Sequence, residues 1–356
     1  MKKMLLMLGV AAAAMTSCTS DEVLEMNPTN TIKFESFVNK GTRAVTPTIQ
    51  SGLTQFYVFG SYGENDTKVF DNIVFDNIAV TYDNTANNWK PNEEAEWTKN
   101  VYTFAAYATA NGSRDINDPD DQLADAVSFS EDGLKFTNYV VSDDEDLVAA
   151  IANVDNREFR NPEVPLTFKH MLSQVTFEFT NLDSKHKLRI SDLEISNVKN
   201  KGTGILNSGG INGIISWPEA NLSVHDTYQL SYVGNTIDQL SYVGNTIDPS
   251  AIYQPEFKLV IPQSLSSITL SFVVEFIDTN GAVVDQETFT NIPLVYNNAD
   301  DDADKFTAWQ PGYKYTYTAN FPSDPKTIRF GVTVEDWDNK TASGNNARPD
   351  DNTMDF

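Results

Sequence analysis

Apolar and polar residues alternate with period two along most of this chain, the signature of half-buried β-strands. Val175, Phe177 and Phe179 alternate with Thr176, Glu178 and Thr180. Ile268, Leu270, Phe272, Val274 and Phe276 make a longer stripe, and Tyr313, Tyr315, Tyr317, Ala319 and Phe321 another. Ile328, Phe330, Val332 and Val334 close the series before Trp337. Further strand candidates are Gln55–Gly60, Val101–Tyr107, Leu188–Val198 and Phe257–Ile261. Gly, Pro, Asn or Asp bound each of them, residues that tolerate turn geometry. Asp278-Thr279-Asn280-Gly281 predicts a hairpin turn, because Asn-Gly readily takes positive φ. Sustained helical periodicity is rare; Asp144–Ala152 is predicted as one short helix, capped by Ser142 or Asp143. Many short strands and few helices predict an all-β protein built from sandwiches.

The N-terminus reads differently. Lys2 and Lys3 precede the apolar run Met4–Met15, which is shorter than the ~20 residues that a membrane-spanning helix needs. Residues 1–17 therefore read as an export signal that is removed. Thr16 and Ser17 lead to Cys18, the only cysteine of the chain, and the stretch resembles a bacterial lipobox. The Cys18 thiol is then the site of lipidation, which converts a soluble chain into an anchored one. Thr19-Ser20-Asp21-Glu22 resembles the acidic surface-export signal of Bacteroidetes lipoproteins, or else is a solvated linker. With Cys18 lipidated no disulfide is available, so folding rests on hydrophobic cores. The length beyond the signal favours two domains, and the polar stretch Asp155–Val164 places their boundary near residue 160. Residues 44–160 and 161–338 are the predicted domains, followed by a polar tail over 339–356.

The formal net charge of −25 argues against nucleic acid and against anionic lipid headgroups, both of which require clustered Lys and Arg. Catalytic signatures are missing: three histidines, His170, His186 and His225, offer no pair at HExxH spacing, and no G-x-S-x-G elbow occurs. Asp300, Asp302 and Asp304 match the start of an EF-hand loop, but Lys305 replaces its glycine and Pro311 its bidentate glutamate. Asp115–Asp125 fails similarly. No catalytic residue, metal site or cofactor is assigned, and the protein is read as a non-enzyme. Trp89 and Trp97 flank a polar acidic stretch, where they form either an exposed platform for sugars or ordinary core packing. The ten residues QLSYVGNTID occur twice in tandem, as Gln229–Asp238 and Gln239–Asp248. An even insertion preserves the facing of side chains, and no function is assigned to it.

Four features together resemble the fimbrillin family, the subunits of type V pili of Bacteroidetes. They are the lipobox, the segment VPLTFKHMLSQV (Val164–Val175), the WQPGYKY stretch (Trp309–Tyr315) and the closing Ile328–Trp337 strand. The resemblance implies two transthyretin-like Greek-key β-sandwich domains in tandem. It also implies export as an outer-membrane lipoprotein held by the lipid on Cys18, then trimming by an arginine-directed protease. The first arginine of the chain is Arg43, in Gly41-Thr42-Arg43-Ala44, so processing is expected between Arg43 and Ala44. Residues 18–43 would be a leader, and Ile32, Phe34 and Phe37-Val38 give it a strand-like pattern. Losing that strand would leave an apolar groove with unpaired backbone, open to strand addition by another fimbrial subunit. The alternative is a mere tether between lipid and domain. Partners on this reading are other subunits, the outer membrane, and a host or bacterial surface ligand. A rival reading is a surface glycan-binding lipoprotein of a nutrient-uptake system, using Trp89 and Trp97.

Overall fold

The computed structural model describes residues 30–38, 53–63, 70, 72–109, 124–141, 145–207, 213–224, 230–231, 252–253, 257–295, 306–322, 327–336 and 353–355. In chain order the strands begin with β1 (Phe34–Val38), β2 (Gln55–Gly63), β3 (Asn72–Asp83), β4 (Asn88–Pro91) and β5 (Val101–Thr109). Next come β6 (Ala126–Ser130), β7 (Gly133–Val140), β8 (Leu147–Asp155), β9 (Val164–His170), β10 (Ser173–Asn181) and β11 (Lys187–Ser196). Then follow β12 (Lys201–Asn207), β13 (Ile214–Ser216), β14 (Leu230–Ser231), β15 (Ile252–Tyr253) and β16 (Lys258–Val260). The last are β17 (Thr269–Ile277), β18 (Val283–Pro293), β19 (Tyr313–Phe321), β20 (Thr327–Asp336) and β21 (Thr353–Asp355). A single 3-10 turn, Glu219–Asn221, is the only helical element among the described residues. The protein is all-β.

Four sheets arise. A seven-stranded sheet has the order β1-β9-β8-β5-β2-β3-β4, and one of its faces packs on a four-stranded sheet, β13-β12-β7-β6. Phe59, Tyr107, Leu134, Phe136 and Ile151 fill the space between them. A second pair of sheets, β15-β10-β19-β20-β21 (with β16 also on β10) and β14-β11-β17-β18, encloses Phe177, Phe179, Ile190, Leu270, Phe272 and Tyr317. These two sandwich-like bodies are built from alternating strands, as the period-two stripes require. In β17, for example, Leu270, Phe272, Val274 and Phe276 are all buried. The β17–β18 turn is closed as expected, with Gly281 at φ +84° and the Asp278 carboxylate accepting from the Asn280 and Ala282 amides.

Two expectations are corrected. Asp144–Ala152 is no helix: Leu147–Asp155 is strand β8, next to β5 and β9 in the largest sheet. Both faces of β8 are covered, so its sequence LVAAIANV needs no polar alternation, and sheet pairing overrides the helical propensity of its alanines. The proposed caps Ser142 and Asp143 lie outside the described residues. Nor do the sheets part at residue 160. Strand β9 joins the sheet of β1 to β8, and β12 pairs with β7 with Leu206 opposite Leu134. The chain enters the second body with β10 and β11, returns to the first with β12 and β13, and leaves again with β14. Linear composition carries no trace of such an excursion, because the pairing that defines it is non-local.

Candidate functional site

Strand β1 occupies one edge of the seven-stranded sheet, parallel to β9, with Phe34 opposite Val164 and Val38 opposite Phe168. The pattern that makes it a strand is short: Ile32 and Phe34 point inward and are buried, while Lys33 and Glu35 are exposed. Phe34 lies 5.8 Å from the ring of Phe56, 5.6 Å from Phe75 and 6.0 Å from Phe104. Those rings belong to β2, β3 and β5, so the sheet curls until its β1 edge covers its own far strands. The curl is sealed by a second contact. The Ile32 amide donates to the Ala95 carbonyl at 2.8 Å, and the Trp97 amide donates to the Asn30 carbonyl at 2.6 Å. One short segment thus bridges β9 on one side and the stretch after β4 on the other.

Strand β9 depends on this neighbour. Its pairing with β8 covers only Lys169 and His170, whereas Val164–Phe168 pair with β1, and the Val164 amide donates to the Lys33 carbonyl at 2.8 Å. Inward-facing Val164, Leu166 and Phe168 join Phe56, Val58, Tyr102 and Phe104 in the core that Phe34 caps. Without β1 the region would present an apolar trough with a row of unsatisfied backbone groups, the usual template for strand addition.

Trp89 and Trp97, read from sequence as either a sugar platform or core packing, serve this same core. Trp97 is buried, 4.7 Å from Tyr102 and 5.8 Å from Phe104. Trp89, half-buried, packs 4.9 Å from Phe56 and 5.0 Å from Tyr82. Neither offers the open face that stacking on a sugar needs, and the platform reading is set aside. Cys18, Arg43 and Ala44 lie outside the described residues, as do Asp300, Asp302, Asp304 and residues 115–123 of the acidic stretches.

Two motifs far apart in sequence meet where the bodies join. His170, at the end of β9, is buried with its Nδ1 hydrogen-bonded to the carboxylate of Asp146, which is also buried. Immediately after it, the Leu172 carbonyl accepts from the Gly312 amide at 2.8 Å, and the Ser173 hydroxyl donates to the Gln310 carbonyl at 2.7 Å. Gly312 has φ +77°, a conformation that glycine adopts without strain. Around it the Gln310 amide donates to the Tyr315 hydroxyl at 2.7 Å, and the Trp309 indole donates to the Tyr317 hydroxyl at 3.0 Å. Burial pushes both phenols well above the usual tyrosine range, so they remain neutral donors and acceptors. Trp217 adds a further tie, its indole donating to the Met171 carbonyl at 2.8 Å. A cavity of about 690 Å³ opens beside this junction, walled by Lys169, His170, Ile214, Tyr313, Val334 and Asp336. The two segments carry no local signal of their meeting; their shared hydrogen-bond partners reveal the connection.

The family model described as fimbrillin-like matches residues 42–337. No curated protein matches the chain. Among solved structures, a fimbrial protein from Bacteroides vulgatus is 16% identical with a TM-score of 0.54, over 86% of this chain and 99% of that one. A candidate cell adhesion protein from Bacteroides uniformis is also 16% identical, with a TM-score of 0.46 over 86% of this chain and 99% of that one. The fimbrial anchor protein Mfa2 from Porphyromonas gingivalis is 11% identical, with a TM-score of 0.34 over 86% of this chain and 96% of that one. On the match to residues 42–337, the chain belongs to the fimbrillin-like family.

Proposed function

We propose that this protein is a non-enzymatic subunit of a cell-surface fimbria whose first strand is a removable plug. The precursor is exported and acylated at Cys18, which holds it on the outer membrane. Cleavage between Arg43 and Ala44 severs β1 from the body, and a strand from another subunit replaces it along β9. The observation that carries this reading is the position of β1, which fills a core yet belongs to a segment joined to the rest through Asn39–Leu53. Ile32 and Phe34 complete the apolar interior, and the backbone of Val164–Phe168 pairs along β1. A simple tether between lipid and domain would have no reason to supply core residues.

Membership of the fimbrillin-like family supports a fimbrial role, and the fimbrial protein from Bacteroides vulgatus supports the same fold. The closing strand is a poor donor for a neighbour. Strand β20 pairs with β19 from Tyr313 opposite Asp336 to Asn320 opposite Arg329, and Val332 is buried in the second body's core. Withdrawing it would open that core.

Arg43→Ala should leave the leader attached and stop incorporation into fibres, read by N-terminal sequencing of the surface protein and by electron microscopy. Fibres assembling normally from this variant would overturn the processing step. Cys18→Ala should abolish acylation and divert the precursor from the outer membrane; continued lipid labelling would contradict the anchor assignment.

A further inference from the structure

The cavity beside the Leu172–Gly312 junction begins just past the β1–β9 ladder, which ends at Phe168, and it has the size of a small-molecule site. Its volume of about 690 Å³ lies within the range of roughly 300–1,000 Å³ typical of ligand pockets. The first body contributes Lys169 of β9 and Ile214 of β13 to its wall; the second contributes Phe306, Tyr313 and Asp336. We propose that this cavity binds a short neutral oligosaccharide.

Aromatic rings supply the apolar surface. Tyr313 opens β19 and is 38% exposed, while Phe306 is half-buried. The buried Tyr315 braces both: its ring lies 4.8 Å from Phe306 and 6.5 Å from Tyr313. The C–H face of a pyranose packs on such rings as other apolar groups do, and Ile214, 66% exposed, adds apolar surface from the opposite body. The segment that carries the rings is already fixed. The Gln310 amide donates to the Tyr315 hydroxyl and the Gly312 amide to the Leu172 carbonyl, so little freedom is lost when a ligand binds.

The polar groups select the ligand class. Gln310 and Thr307 are exposed residues on the cavity wall. Their carbonyls serve the fold, accepting from the Ser173 hydroxyl and the Leu265 amide respectively. Their side chains are a carboxamide and a hydroxyl, each both donor and acceptor. Sugar hydroxyls have the same double character, which neither a hydrocarbon nor a simple ion shares. Lys169 and Asp336 place one charge of each sign on the wall, and a further ionisable group, His170, is bonded to Asp146. This balance favours an uncharged ligand, and the net charge of −25 on the chain further opposes an anion. An extended peptide fits less well. Strand β19 lies between β10 and β20, with Tyr313 opposite Asp336, so this wall presents side chains rather than an open backbone edge.

Binding of the purified full chain to a printed array of neutral di- to tetrasaccharides tests this, with titration calorimetry on the strongest binder. A saturable signal is expected, and Tyr313→Ala and Gln310→Ala should each weaken it roughly tenfold. Both side chains are exposed, so the melting temperature should stay nearly the same. Should Tyr313→Ala lower it, Gln310→Ala and Thr307→Ala decide, since neither residue is part of a core. An array with no neutral oligosaccharide bound overturns the proposal, as does binding that is indifferent to all three substitutions. Binding to an array of extended peptides that Tyr313→Ala abolishes, and that no saccharide displaces, would assign the cavity to a peptide and likewise overturn it.

Discussion

Replacing Phe34 with alanine would remove a ring that spans the gap between β1 and three other strands. Phe34 is 4% exposed, and its ring contacts Phe56, Phe75 and Phe104 at centroid distances of 5.6 to 6.0 Å. Burial of a phenylalanine contributes about 1.5–3 kcal/mol. Edge-to-face ring pairs add roughly 0.5–1.5 kcal/mol each, and Phe34 makes two such contacts, with Phe56 and Phe104. Large-to-small core substitutions of this kind cost about 3–5 kcal/mol, and an edge strand can settle inward to recover part of that. The expected loss is therefore about 3 kcal/mol. It should fall on the association of β1 with the body. When the purified precursor is cut after Arg43 in vitro, the fragment ending at Arg43 should be held only by its reversible, non-covalent pairing through β1. About 3 kcal/mol corresponds to a weakening of that association by roughly 100-fold. The dissociation constant of a peptide covering residues 19–43, titrated into the leader-free body and followed by tryptophan fluorescence, measures the effect. Trp89 and Trp97, both packed in this core, report on its closure. A change of less than threefold for the Phe34→Ala peptide would refute the view that this ring plugs the trough.

Four further outcomes follow from the geometry. Gly204→Ala should destabilise the first body by about 1–3 kcal/mol in urea unfolding, because a Cβ there meets the Trp217 ring at 2.6–2.8 Å. Trp217→Phe trims the indole to a single ring and strands the Met171 carbonyl, and should cost about 1–3 kcal/mol by the same assay. Asp183 is buried, which works to raise its pKa, yet its bonds to His186 at 2.6 Å and to the Lys185 amide at 2.7 Å hold it below the ordinary carboxylate value of 3.8. A depressed folded-state pKa stabilises above the unfolded value and loses that contribution as pH falls through the folded one. Thermal melts from pH 6 downward should therefore decline below about pH 4, and Asp183→Asn should flatten the decline. Trp89→Ala with Trp97→Ala should lower the melting temperature without changing glycan-array signals, since both indoles pack inward; a glycan signal lost in the double variant would restore the platform reading.

What could be read from the chain beforehand depended on how local its cause was. Strands β10, β17 and β19 each have one face on a core, and their stripes were legible residue by residue. Tyr313 departs from its stripe, being 38% exposed, because β19 starts at the rim of the cavity. Strand β8 was illegible because burial on both faces erases alternation. The Ile32 and Phe34 pattern disclosed the strand at Phe34–Val38. Its parallel partner β9 was hidden, since a parallel neighbour more than a hundred residues away leaves no turn signal. The same holds for β12, whose return to the first body rests on pairing with β7. The VPLTFKHMLSQV and WQPGYKY segments could be recognised separately, but their union at Leu172 and Gly312 is a tertiary fact.

Amide hydrogen exchange at two positions tests most directly whether β1 is the removable edge of this fold. In the uncut precursor the Val164 and Trp97 amides, bonded to the Lys33 and Asn30 carbonyls, should be strongly protected. After cleavage between Arg43 and Ala44 and washing away of the freed peptide, both should exchange at least a hundredfold faster, while amides at the centre of β5 keep their protection. Unaltered protection at Val164 and Trp97 in the trimmed protein would mean that the trough closes without its first strand, and the plug account would be wrong.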